Sequence, residues 1–208
     1  MRFRTVFLAA LALCVLLAGC SVQPLSDLLS EPTTEETTTQ RTIPRPSVAD
    51  VENAFEKAME VYGWFDLCAL ECDSADKTER GGHTYYRVVS DAVPSYEALR
   101  TLVFNLFDTQ TGERLLNEDS DAPPYIDVDG ALFGQDFARG SDITKGDYSL
   151  TVEWESLTCA LCRVQVETLE YGDELNDDYR RVTGHEDYTF RYELIGQRWV
   201  FTDFQLFY

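Results

Sequence analysis

Apolar residues recur at helical spacing after Ser47. Val51, Ala54, Phe55, Ala58, Met59 and Tyr62 share one face of a 3.6-residue period. Ser47 with Asp50 three positions on predicts a capping box, with Asp in place of Glu. Gly63 reads as the C-terminal signal. Residues 64–72 fit either a continued helix or the start of a strand. Residues 73–82, polar and ending in Gly-Gly, read as a connection, and 83–89 as a strand rich in β-branched and aromatic side chains. Pro94-Ser95 opens a second helix, with Tyr96, Leu99, Leu102, Val103, Leu106 and Phe107 on its apolar face. A shorter helix holds Arg114, Leu115 and Leu116.

From residue 125 the period becomes two. Residues 125–133 read as a hairpin turning at Asp129-Gly130. Residues 134–147 form a loop with three glycines. Strand-like runs follow at 148–154, 159–169, 185–194 and 199–207, with a tight turn at Gly196-Gln197 and an acidic, exposed connection over 171–184. Helices first and a strand meander last predict an α+β fold. N-terminal helices would pack on a mostly antiparallel, strongly bent sheet. The alternation over 187–192 fits strands with one wet face.

The N-terminus changes the picture. Arg2 and Arg4 precede an apolar run over 5–17, shorter than the roughly 20 residues a membrane span needs. Leu17-Ala18-Gly19-Cys20 follows and resembles a bacterial lipobox. That pattern implies cleavage before Cys20 and diacylglycerol on its sulfur, with residues 1–19 as signal peptide. Two acyl chains on one residue anchor stably. The expected location is the extracellular face of the bacterial membrane. Residues 20–46 are the lipidated cysteine and a Thr-, Pro- and Glu-rich tether, which cannot repay its ordering entropy. Such a coil spans roughly 25–30 Å. The folded domain is expected over 47–208.

Charge excludes some partners. Among 208 residues there are 37 acidic and 17 basic side chains, a net −20. Phosphate binding needs clustered Lys and Arg, so nucleic acid is an unsuitable partner. Catalytic equipment is sparse: two histidines, and no Gly-x-Ser-x-Gly. Asp119-Ser120-Asp121 and Asp127-Val128-Asp129-Gly130 do not complete a calcium loop. We therefore expect no enzyme, no cofactor and no metal.

Cys68, Cys72, Cys159 and Cys162 remain in the exported domain, where an even count suggests disulfides. Three connectivities are open. Residues 159 and 162 on one strand would point to opposite faces, about 10 Å apart, so a bridge between the two cysteine pairs is expected. Such a bridge closes a long loop and contributes about 4 kcal/mol in the chain-entropy model. Zinc on four thiolates is the weaker reading, because export favours oxidation and a strand is a poor zinc knuckle. A redox Cys159-Ala160-Leu161-Cys162 would need a helix N-terminus to lower a thiol pKa.

Several segments carry a resemblance. They are Tyr85-Tyr86-Arg87-Val88, Tyr96-x-x-Leu99 with Leu106-Phe107, and Leu115-Leu116. The run 125–133 follows, then Arg139-Gly140-Ser141, Gly146-Asp147, 188–192 and Trp199-Val200-Phe201. Together they resemble the IseA-type DL-endopeptidase inhibitor family of Gram-positive bacteria, over most of 47–208. The resemblance implies a non-enzymatic α+β protein that docks on the cleft of NlpC-type cysteine peptidases of peptidoglycan. An acidic surface would steer it onto a basic partner.

The best candidate for a docking surface is the loop 135–147. It carries Asp136, Phe137, Arg139, Asp142, Ile143 and Lys145. The bland alternative is a structural loop whose Arg139 pairs with a nearby acid. A second function class is a small-ligand-binding lipoprotein with a cystatin-like or nuclear-transport-factor-like pocket, which requires an apolar cavity between the first helix and the sheet.

Overall fold

Helix α1 spans Val48–Asp66 and begins as the spacing predicts. Ser47 Oγ accepts from the Asp50 amide at 3.1 Å, and Asp50 Oδ2 accepts from the Ser47 amide at 2.9 Å. This computed structural model describes residues 43–171 and 180–208. Cys20, the lipobox and the tether up to residue 42 lie outside the described residues.

Gly63 does not stop α1. The helix runs on to Asp66, and the Gly63 carbonyl accepts from the Leu67 and Cys68 amides at 2.8 and 3.1 Å. Long-range contacts carry it past the glycine: the Phe65 ring meets Tyr125 edge-on at 5.2 Å. The polar connection expected over 73–82 is also corrected. Strand β1 (Cys72–Arg80) turns at Gly81-Gly82 into β2 (His83–Val88). Its side chains are mostly exposed, so its pairing rests on the backbone ladder and no apolar alternation marks it.

Helices α2 (Tyr96–Leu106) and α3 (Thr109–Leu116) are capped by Ser95 and Asp108. The hairpin β3 (Tyr125–Val128) and β4 (Ala131–Gly134) turns at Asp129-Gly130, with φ 54° and 85°. Two consecutive positive φ values define the type I′ turn that Asp-Gly favours. These four strands form one sheet in the order β1-β2-β4-β3.

Strands β5 (Lys145–Trp154), β6 (Cys159–Tyr171), β7 (Arg180–Ile195) and β8 (Arg198–Thr202) form a second sheet in chain order. Every ladder is antiparallel. The fold is α+β, and its strands divide between two sheets. Because β6 and β7 extend further than the alternation predicts, the 171–184 connection narrows to 172–179, outside the described residues. The last strand ends at Thr202, short of residue 207. Asp203 takes φ 54°, and the tail then buries Phe204 and Phe207.

The core lies between α1 and the second sheet. Phe55 is fully buried, with ring centroids 5.4, 6.0 and 5.7 Å from Phe190, Phe201 and Phe204. Burying such a side chain stabilises by about 1.5–3 kcal/mol. The Asp108 amide donates to the Phe201 carbonyl at 2.9 Å, tying the α2–α3 junction to β8. A smaller cluster of Tyr85, Ile126 and Phe133 supports the first sheet. Among the described residues, no helix is long and apolar enough to cross a membrane.

Candidate functional site

The loop between β4 and β5 runs beside the exit of α1. The Phe137 carbonyl accepts from the Ala69 amide at 3.0 Å, and the Arg139 amide donates to the Leu67 carbonyl at 2.9 Å. Arg139 Nη2 donates to Asp66 Oδ2 at 2.6 Å and to the Tyr208 carbonyl at 3.1 Å. Its partner is therefore an acid of its own chain. At the far end, the Leu169 amide donates to the Thr144 carbonyl at 2.8 Å, and Lys145 meets Glu186 of β7 at 2.5 Å.

Within the loop, Asp142 Oδ1 accepts from the Thr144 amide and hydroxyl at 2.9 and 2.7 Å. Those bonds hold the Asp142 carboxyl below the usual carboxylate range. Phe137 is half-buried. Asp136 and Ile143 face solvent, with Ile143 57% exposed. Arg139, Asp142 and Lys145 thus hold the loop in shape, while Asp136 and Ile143 remain presented.

The cysteines fall in two places. Cys68 is exposed beside Ala138, and Cys72 opens β1 with its thiol donating to the Leu70 carbonyl at 3.2 Å. Cys159 and Cys162 are buried on β6 in the other sheet. All four stand as free thiols in this structure. Burial pushes the Cys162 thiol up to about 12, with Glu52 adding to the shift. Burial and a hydrogen bond with Glu155 push Cys159 to about 11.

One feature escaped the sequence reading. Arg114, in the last turn of α3, donates through Nη1 to the Tyr62 hydroxyl at 2.9 Å and through Nη2 to the Phe204 carbonyl at 3.1 Å. Two adjoining hollows of about 320 and 340 Å³ both include it. One is polar, with Gln110, Asp203 and Gln205; the other is mixed, with Phe65, Leu115 and Phe137 on one hand and Asn117 and Gln135 on the other. Nothing in local spacing marks Arg114, because its partners lie 52 and 90 residues away.

Other candidates are accounted for by pairing. On the outer face of the second sheet an open polar trough includes Arg163, Gln165 and Asp187. There Arg163 meets Glu153 at 2.7 Å, and Gln165 donates to Asp187 at 3.1 Å. His83 and His185 are exposed on strands. Among the described residues, no three His, Cys, Asp or Glu side chains are grouped to hold a metal ion. The Phe55 cluster fills the place where the small-ligand reading expects a cavity. Compared with protein-family models and with curated proteins, the chain matches none.

Proposed function

We propose that this chain is a lipid-anchored, non-enzymatic protein of the bacterial cell surface that inhibits peptidoglycan DL-endopeptidases by docking on their cleft. One observation carries the reading: the loop 135–144 is pinned at both ends and presents Ile143 and Asp136 to solvent. A loop fixed before binding loses little entropy on docking. An exposed apolar anchor and an exposed carboxylate on one loop suit a cleft with an apolar slot and a basic rim. The net charge of −20 favours encounter with a basic partner.

The test is hydrolysis of a muropeptide by an NlpC-type endopeptidase, with and without the full-length protein in detergent. Micromolar protein is expected to slow hydrolysis. Ile143→Asp is expected to relieve the inhibition without lowering the melting temperature. No slowing at micromolar excess removes the reading.

A further inference from the structure

We propose that the groove around Arg114 binds the C-terminal carboxylate of a short peptide. Arg114 is held by two neutral acceptors, the Tyr62 hydroxyl and the Phe204 carbonyl. A guanidinium carries five N–H groups, so three remain to donate. Among the described residues, no carboxylate lies within ion-pair distance of it. In this it differs from Arg87, Arg100, Arg139, Arg163, Arg181 and Arg191, which each lean on an acid. A planar fork fixed by neutral partners is pre-organised for a two-oxygen anion.

The surroundings specify the rest of the ligand. The Cα of a C-terminal residue carries a carboxylate, a side chain and an amide N–H leading back along the chain. The groove offers matching parts. The guanidinium takes the carboxylate, and the hollow with Phe65, Leu115 and Phe137 takes an apolar side chain. The polar hollow takes the backbone. There the Gln110 and Gln205 carboxamides both donate and accept, as a peptide backbone requires. Asp203 accepts from a backbone N–H and repels a second negative charge, so the ligand carries one carboxylate at this end. Each hollow sits near the lower end of the roughly 300–1,000 Å³ usual for small-molecule sites, which fits a di- or tripeptide.

The test is calorimetric titration of the full-length protein in detergent with acetyl-alanyl-leucine and, separately, with its C-terminal amide. The free acid is expected to bind saturably, at least about tenfold more tightly than the amide, since a charge-assisted bidentate pair is lost in the amide. Arg114→Lys keeps the charge but loses the fork, and is expected to weaken the acid several-fold. Because Arg114 also supports Tyr62 and Phe204, Gln110→Ala serves as a second variant. It is expected to weaken the acid with an unchanged melting temperature. Equal binding of acid and amide, absence of saturable binding by the acid, or indifference to both substitutions overturns the proposal.

Discussion

The Tyr125 hydroxyl donates to the Trp64 carbonyl at 2.8 Å. The same oxygen accepts from the Leu70 amide at 2.9 Å. One side chain of β3 thereby satisfies two backbone groups where α1 ends and the chain turns toward β1. Tyr125→Phe keeps the ring contact with Phe65 but leaves both groups without their partner. It is expected to cost about 1–3 kcal/mol, measured as a lower urea midpoint at unchanged m-value.

Burial raises the Tyr125 phenol above its ordinary value and the Cys162 thiol to about 12. In the unfolded chain these groups titrate near 10 and 8.5. Between the unfolded and folded values the native state holds more protons than the unfolded state. Stability is therefore fully present below the unfolded values and falls as pH rises through them. The urea midpoint is expected to be level from about pH 7 to 8 and to decline from about pH 9 to 11. A midpoint rising over that alkaline range would contradict the burial assigned to both groups.

Thiol accessibility separates the two cysteine pairs. In Ellman's assay on the reduced protein, Cys68 is expected to react first and Cys72 after it, because only Cys68 is exposed. Cys159 and Cys162 are buried and held protonated at neutral pH. They are expected to react only on unfolding, since the thiolate is the nucleophile. Mass mapping of the labelled sites checks the order.

Gly112 lies inside α3, where helix propensity alone favours Ala by about 1 kcal/mol. A Cβ there would sit 2.7 Å from Phe104 Cε1 of α2. Gly112→Ala is expected to destabilise by about 1–3 kcal/mol through overpacking. Thermal unfolding decides the sign, and a higher melting temperature would show that Phe104 gives way.

Arg139→Ala removes an exposed, solvent-screened ion pair with Asp66, so global stability is expected to change little, read as an almost unchanged melting temperature. Locally the change is larger, because Arg139 also reaches the Tyr208 carbonyl. Hydrogen exchange at the backbone amides of residues 69 and 139 is expected to quicken while core strands keep their protection. Unchanged exchange at both amides would mean that backbone pairing alone holds the loop.

Much of the fold is legible in the order of residues. The Ser47–Asp50 box, the Asp129-Gly130 turn and the Gly196-Gln197 turn each rest on groups within three positions of one another. Local patterning does not mark strand β1, because its side chains stay wet and its only signature is pairing with β2. The division into two sheets is not legible either, because alternation reports which face of a strand is buried and not which strand lies beside it. Of the loop between β4 and β5, the sequence marks its glycines and the apolar Phe137 and Ile143. It does not say that Arg139 is committed to Asp66, 73 positions away.

Taken alone, the order of amino acids determined the local events: where helices begin, where hairpins turn, which positions are apolar, and the α+β class. Those follow from hydrogen bonds and burial preferences that act over a few residues. Only the tertiary structure decided that α1 runs past Gly63, that the tail after Asp203 folds inward, and that Arg114 meets Tyr62 and Phe204 beside an open groove. These depend on groups far apart in the chain, whose meeting is settled by how the whole core packs.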